Sequence, residues 1–304
     1  MERLKSNSCT IAKIIACVIF GFSYLFTDSA LAVASPAVLL SCRFLLACGL
    51  LVVLRIPYWC RHRHKEKRPF WPMLLMGVFE PTLYLLLESY AIVHTSTVFS
   101  AVILSLTPIL AVILAAVFLK EFPTIGQYGG MLLSVLGAIL VSWENVERDV
   151  AKPVHILMLL AAILCSAIFV VLSRKYSAIY SAYERTLGMF TTAAIVFAIL
   201  ALCETKGDMS VFVTALGNQD FLVSVLYLGG LSSVVAFFLV NYSNNKLPVV
   251  AACALGAISP VVSLFSGVFL LNESFGGRSL LGVVLILLGT VGVQILEKRK
   301  NEKG

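Results

Sequence analysis

Residues 95–142 read TSTVFSAVILSLTPILAVILAAVFLKEFPTIGQYGGMLLSVLGAILVS, and residues 247–294 read LPVVAACALGAISPVVSLFSGVFLLNESFGGRSLLGVVLILLGTVGVQ. A shift of 152 residues aligns the two stretches without a gap. Apolar chains share Leu and Val by chance, but this shift also superimposes Pro108 on Pro260, Glu121 on Glu273, Gly130 on Gly282 and Gly137 on Gly289. We interpret the self-similarity as a duplication, with one copy at 1–150 and the other at 151–304 of a single integrated domain.

The composition indicates that this domain lies in a lipid bilayer. Of the 304 residues 60% are hydrophobic and 13% are charged, and the mean hydropathy is +0.96. A water-soluble domain does not bury that much apolar surface. The eight cysteines lie mostly inside apolar runs without metal-ligand spacing, so we predict neither a disulfide framework nor a metal site.

Ten apolar segments are each near the roughly 20 residues needed to cross a bilayer. We therefore predict ten membrane helices, at about 10–30, 36–56, 70–91, 95–119, 127–143, 154–172, 182–202, 220–241, 248–271 and 279–296. Glu184 and Arg185 at the start of the seventh segment count against it. The first segment also resembles a cleavable signal peptide, with Ala30-Leu31-Ala32 as the cleavage site, but its loss would leave the first copy one helix short.

The placement of positive charge predicts the orientation. With the N-terminus in the cytoplasm, the cytoplasmic segments hold 18 of the 23 Lys and Arg and the external segments hold 4, with Arg43 inside a helix. Both termini are then cytoplasmic, in a bacterial-type inner membrane. The run RHRHKEKR at 61–68 fits a topology anchor facing membrane lipid better than a nucleic-acid site.

An odd number of helices per copy makes the second copy enter the membrane from the opposite side. The fold class is therefore an all-α membrane protein with ten transmembrane helices in two inverted-topology five-helix repeats. Such folds place a binding site near the midplane between the repeats and alternate its access. A scaffold has no need of this symmetry, whereas a transporter uses it.

The chain resembles the EamA family of the drug/metabolite transporter superfamily over about residues 10–296. The likeness rests on short patterns: Phe20-Gly21-Phe22-Ser23, Ser35-Pro36-Ala37, Glu88-Ser89-Tyr90-Ala91, Leu106-Thr107-Pro108, Phe118-Leu119-Lys120-Glu121, Ile258-Ser259-Pro260 and Leu271-Asn272-Glu273. Phe20 departs from the family, which has Trp at this place. The resemblance implies ten helices, cytoplasmic termini and secondary transport without an organic cofactor, and it leaves the substrate open.

Glu80 is the most informative charge in the predicted helices. It lies about ten residues into the third helix, roughly 15 Å deep, and Pro81 behind it should loosen the helix. Tyr84 and Glu88 continue the same face. An acidic, aromatic stripe in a cavity suits an amine, a cation or a proton, so we assign these three residues to the substrate site. The alternative is that Glu80 pairs with Arg43 and holds two helices together.

Arg43 lies about seven residues inside the second helix. It can bind a substrate carboxylate or form an ion pair with Glu80 or Glu88. Arg185 is its candidate symmetry mate in the second copy, with a gate or structural role. We add Tyr24 and Tyr227 to the substrate site as aromatic lining.

Four repeated residues are assigned to gates or to structure: Pro108, Glu121, Pro260 and Glu273. The two glutamates could cap the next helix or close a gate. We expect the repeated glycines of the fifth and tenth helices to allow close helix packing within one chain, and a dimer contact is the alternative.

The sequence thus predicts a secondary active transporter of a small organic metabolite (an amino acid, an amine or a drug-like compound), working as an exporter by alternating access. A proton-coupled importer of a cationic or zwitterionic nutrient is the alternative. An intramembrane enzyme is disfavoured, because no catalytic constellation is visible at membrane depth. We expect a monomer or homodimer with no nucleic-acid partner.

Overall fold

The computed structural model describes residues 2–61, 69–94, 103–142, 152–271 and 276–303, and all secondary structure in these ranges is helical. The helices in chain order are α1 (Glu2–Leu31), α2 (Pro36–Arg61), α3 (Trp71–Gly77), π1 (Val78–Leu83), α4 (Tyr84–His94), α5 (Thr107–Leu119), α6 (Ile125–Ser142), α7 (Pro153–Tyr176), α8 (Ala182–Glu204), α9 (Ser210–Gly217), α10 (Gln219–Leu226), π2 (Tyr227–Phe237), α11 (Phe238–Ser243), α12 (Val249–Gly256), α13 (Ile258–Leu271) and α14 (Gly277–Lys303).

Seven helical spans in the described ranges are long and apolar enough to cross a membrane, and α5 and α6 are shorter apolar helices. The chain is therefore a multi-pass membrane protein. Several predicted spans differ in detail. The third is divided into α3, π1 and α4, the ninth bends between α12 and α13, and α9 was not predicted. The predicted start of the fourth span at residue 95 lies outside the described residues.

The seventh predicted span is confirmed as α8, and its start explains the charge that argued against it. Ser181 and Glu184 form a capping box: the Glu184 amide donates to the Ser181 hydroxyl at 3.2 Å, and the Ser181 amide donates to the Glu184 carboxylate at 2.9 Å. Two amides at the helix start that would lack partners are thereby satisfied. Glu184 thus stabilises the helix end.

The core centres on α2 and α8. Phe44 lies 5.3 Å from Phe190 and 5.6 Å from Phe197, measured between ring centroids, and Phe190 lies 5.5 Å from Phe237 of π2. Edge-to-face and offset contacts at these distances add to the burial of the rings. The core therefore ties elements from both halves of the chain together.

α6 and α14 run antiparallel and cross at paired glycines. A Cβ built on Gly137 would lie 2.5 Å from the Gly282 carbonyl oxygen, and one on Gly282 would lie 2.7 Å from the Gly137 carbonyl oxygen. Gly130 and Gly289 form a second close contact of the same kind between α6 and α14. The predicted close packing within one chain is confirmed for these four glycines, but Gly129 has no atom within 4 Å of its virtual Cβ.

Candidate functional site

The helix that carries Glu80 is interrupted at that residue. Glu80 has extended backbone angles (φ −142°, ψ 126°) inside π1, and Pro81, which follows it, has no amide hydrogen to donate. α3 packs against α8, whereas α4 packs against α7. The predicted loosening of the helix is confirmed. As a consequence, the segments before and after Glu80 pack against different helices.

The interruption places the Glu80 carboxyl group inside the bundle. The hydroxyl of Ser166, on α7, is its hydrogen-bonding neighbour. The Oε2 atom is buried and has no hydrogen-bond partner among the described residues, and the same holds for the hydroxyl of Thr82. A buried polar atom without a partner is costly in apolar surroundings, so its presence marks a place where a ligand or a proton would be stabilising.

Glu88 and two tyrosines form the second part of the site. The Tyr84 hydroxyl donates to Glu88 Oε1 at 2.9 Å, as expected for residues four apart on one helix face. Tyr24 of α1 lies close enough to Glu88 and Tyr84 for electrostatic interaction with both. The Tyr24 side chain is nevertheless 56% exposed. We name Tyr24, Glu80, Tyr84 and Glu88 the acidic cluster.

Arg43 belongs to the edge of this cluster. It is 8% exposed, its Nε donates to the Ser233 hydroxyl at 2.8 Å, and its Nη2 donates to the Ser232 hydroxyl at 3.2 Å. Glu88 acts on it electrostatically, but neither Glu80 nor Glu88 lies within ion-pair distance of its guanidinium in the described structure. The alternative of an Arg43–Glu80 ion pair is therefore wrong: Arg43 instead joins α2 to π2.

Tyr227 makes its described contacts with α1 rather than with the side chains of the acidic cluster. Its hydroxyl donates to the Ile19 carbonyl at 2.9 Å, and its ring stacks on Phe26 with centroids 4.0 Å apart. These contacts fix π2 against α1. The structure thus brings together five of the six predicted substrate-site residues and places Tyr227 in a packing contact.

The predicted gate or structural residues are at the helix ends. Pro108 is at the start of α5 and Pro260 is near the start of α13, directly after the bend. Glu121 caps a helix as anticipated, but it is α12 rather than the next helix: Oε2 accepts from the Val249 amide at 2.9 Å. Its Oε1 accepts from Arg174 Nε at 2.8 Å. Glu273 lies outside the described residues.

Arg185 is fully buried in a polar network at the same end of the bundle. Its two terminal nitrogens donate to the Ser173 carbonyl and hydroxyl, the Asn241 carbonyl and the Asn245 side chain. Asn241 and Asn244 belong to the same buried layer and are 0% and 3% exposed.

The sequence analysis missed Ser232 and Ser233, which hold Arg43, and it did not identify Arg174 as a partner of Glu121. The adjacent Ser232 and Ser233 in an otherwise apolar segment were a visible signal. No local spacing connects Arg174 with Glu121, so that pair carried no signal at all.

A separate cleft of about 440 Å³ lies where α2, α4 and α8 diverge. Its lining includes Leu40, Leu86, Phe197 and Glu204 and none of the predicted site residues. The acidic cluster and this apolar cleft are therefore different features.

Comparisons with known proteins agree with this architecture. The model of the EamA-like transporter family matches residues 7–143 and again residues 153–295. The chain is 30% identical to the "Uncharacterized transporter YcxC" of Bacillus subtilis, with 100% of this chain and 98% of that protein covered. It is 24% identical to a "Probable terminal-alkyne amino-acid exporter" of Streptantibioticus cattleyicolor, with 75% and 73% covered. A solved crystal structure with 18% identity superimposes with a TM-score of 0.80, covering 96% of this chain and 98% of that one.

Proposed function

Because the chain belongs to the EamA-like transporter family, we propose that it is a secondary active transporter that exports a small organic metabolite by alternating access. The observation that carries the proposal is the acidic cluster with Arg43. Carboxylates, phenols and a guanidinium meet beside an interrupted helix, and Tyr24 is 56% exposed there. Ionisable groups at membrane depth mark substrate or ion pathways.

We propose ten membrane helices in two inverted five-helix repeats. Two observations support this. The family model matches the chain twice, and the glycine contacts of α6 and α14 exchange under the 152-residue shift. The shift converts the Gly137–Gly282 contact into the Gly289–Gly130 contact, as expected for a twofold axis in the membrane plane.

The bias of 18 to 4 in Lys and Arg supports cytoplasmic termini, in the inner membrane of a bacterium. In this orientation the end of the bundle that carries Glu121 and Arg174 is the cytoplasmic end. The transporter works in contact with membrane lipid as a monomer or homodimer.

The site favours a substrate with an amino group. Glu88 and Glu80 supply negative charge, Tyr24 and Tyr84 supply aromatic faces for a cation, and Arg43 can receive a carboxylate. The similarity to the Streptantibioticus protein, which is named a probable amino-acid exporter, favours an amino acid as the substrate. The named relatives are transporters, and we propose no enzymatic role.

A proton-coupled importer of a cationic or zwitterionic nutrient is the second candidate. Glu80 supports it, because its Oε2 is buried without a hydrogen-bond partner in the part of the chain that the structure describes and can take up a proton there.

Transport in liposomes tests the proposal. The purified protein is reconstituted and assayed for uptake of labelled amino acids, polyamines, choline and nucleosides, with and without an inward-acid pH gradient. Glu80→Gln and Glu88→Gln are assayed alongside, and protein-free liposomes are the control. We expect uptake of an amine-bearing compound that Glu88→Gln abolishes. Dependence on the gradient that is lost in Glu80→Gln would favour the proton-coupled importer. No uptake of any compound would overturn the proposed function for this substrate class.

A further inference from the structure

An ion pair joins the ends of four helices at one end of the bundle. Glu121 follows α5, where Lys120 adopts a left-handed conformation (φ 56°) and turns the chain out of the helix. Arg174 lies in the last turn of α7. Their side chains are 24% and 25% exposed, so each charge keeps partial contact with solvent.

Glu121 makes its second contact with a helix of the other half. Pro248, at the N-cap position of α12, makes no side-chain cap, and the Glu121 carboxylate accepts the Val249 amide in its place. A negative charge at this position is stabilised by the helix dipole. α12 is therefore capped by a residue 128 positions earlier in the chain.

Arg174 makes the complementary contact at a helix C-terminus. Its Nη1 donates to the Asn244 carbonyl at 3.1 Å and to the Asn245 carbonyl at 3.0 Å, directly after α11. A cation at this position satisfies carbonyls that the helix leaves free. The pair thus connects α5, α7, α11 and α12.

The layer behind the pair is closed to solvent. Arg185, Ser173 and Asn241 are each 0% exposed, and Asn244 donates to the Ser173 hydroxyl at 2.8 Å. Tyr24, in the acidic cluster, is 56% exposed. The Tyr24 side chain is therefore accessible at the surface of the bundle, whereas the side chains beneath the ion pair are not.

We propose that the Glu121–Arg174 pair is the closed cytoplasmic gate of the transporter, which separates when the site opens to that side. This rests on the proposed function. A partly exposed pair suits the role, because water can solvate both charges as they part. The same separation removes the cap of α12 and the contact of Arg174 with the end of α11, so the four helix ends are released together.

Thiol labelling from both sides of the membrane tests the gate without knowledge of the substrate. The full chain, with its native cysteines replaced, carries one reporter. The first reporter is Ser243→Cys. Ser243 is fully buried next to the Asn244 carbonyl that Arg174 binds, and its hydroxyl donates to the Val240 carbonyl of the same helix. Tyr24→Cys reports on access to the acidic cluster from the external side of the membrane. Each reporter is combined with Glu121→Gln, and labelling by a membrane-impermeant maleimide is measured in inside-out and right-side-out vesicles.

We expect Glu121→Gln to raise the labelling rate of Ser243→Cys from the cytoplasmic side about two- to fivefold, the range set by an exposed ion pair. Labelling of Tyr24→Cys from the other side should fall in the same preparation. Arg174→Gln, which leaves the cap of α12 in place, should do the same. Glu297→Gln is the matched control, because it neutralises one carboxylate that makes a 2.7 Å contact with Gln127 and takes no part in the Glu121–Arg174 pair.

A reciprocal change at the two reporters supports the gate. A rise at Ser243→Cys without a fall at Tyr24→Cys would make the pair a structural tie and overturn the gate, as would no change at either reporter. Either negative result leaves the uptake assay unaffected, so a failed gate is distinguishable from a failed transporter assignment.

Discussion

Gly137→Ala tests whether α6 and α14 depend on their close crossing. The added methyl carbon would lie 2.5 Å from the Gly282 carbonyl oxygen and 2.7 Å from the Ile286 amide nitrogen. Ordinary contact begins near 3.4 Å, so the helices must separate by roughly 0.9 Å. Overpacking of this kind costs about 1–3 kcal/mol. Three atoms lie within 2.8 Å of the added carbon, two of them backbone, so the cost should be near the upper end of that range. Alanine regains about 1 kcal/mol over glycine in a helix, which leaves a net loss of about 2 kcal/mol.

Thermal unfolding in detergent, followed by size-exclusion chromatography, measures this loss. We expect the Tm of Gly137→Ala to fall by about 4–8 °C, from about 2 kcal/mol at about 2–4 °C per kcal/mol. Gly129→Ala is the matched control, because Gly129 lies on the same helix with no atom within 4 Å of its virtual Cβ. Its Tm should stay level or rise. If Gly137→Ala melts at or above Gly129→Ala, the two helices do not rely on the crossing and the packing argument is refuted.

Two further predictions concern the polar network and the site. Arg185→Gln removes four hydrogen bonds of a fully buried guanidinium and should cost about 3–5 kcal/mol, so the yield of monodisperse protein should collapse. Lys175 is exposed, so Lys175→Gln should keep the yield of the unmodified protein. Equal yields of Arg185→Gln and Lys175→Gln would contradict the prediction. Tyr84→Phe removes the 2.9 Å bond to Glu88 and should weaken apparent substrate affinity about tenfold, from about 1.4 kcal/mol. Tyr227→Phe should lower the free energy of unfolding by about 1 kcal/mol without changing affinity, and the opposite pattern would exchange their roles.

The membrane character of the chain was predictable because a bilayer leaves few solutions. Backbone groups in lipid must be hydrogen-bonded within the segment, so long apolar runs become helices. The helix α8 formed despite Glu184 and Arg185 near its start, since one of them caps it and the other enters a polar network. The glycine contacts were predictable for the same reason that the duplication was visible: only glycine lets two backbones approach this closely.

The acidic cluster was predictable in part. Tyr84 and Glu88 share a face through the period of their own helix, and Pro81 signalled the interruption. The period gives no rotation of one helix against another. The sequence therefore could not decide between Glu80 and Glu88 as the ion-pair partner of Arg43. In the structure Arg43 donates instead to Ser232 and Ser233.

The sequence by itself determined that the chain is helical and lies in a membrane, where its apolar spans fall, which glycines are paired, and which face of the third span is acidic. All of these follow from hydropathy, periodicity and self-similarity, which are local or internal properties of the chain. Only the tertiary structure decided which distant polar groups meet: Arg43 with two serines, Arg185 with Asn241, and Glu121 with Arg174. The physical reason is that these contacts depend on the tilt and rotation of packed helices, which the whole bundle fixes together and no single segment encodes.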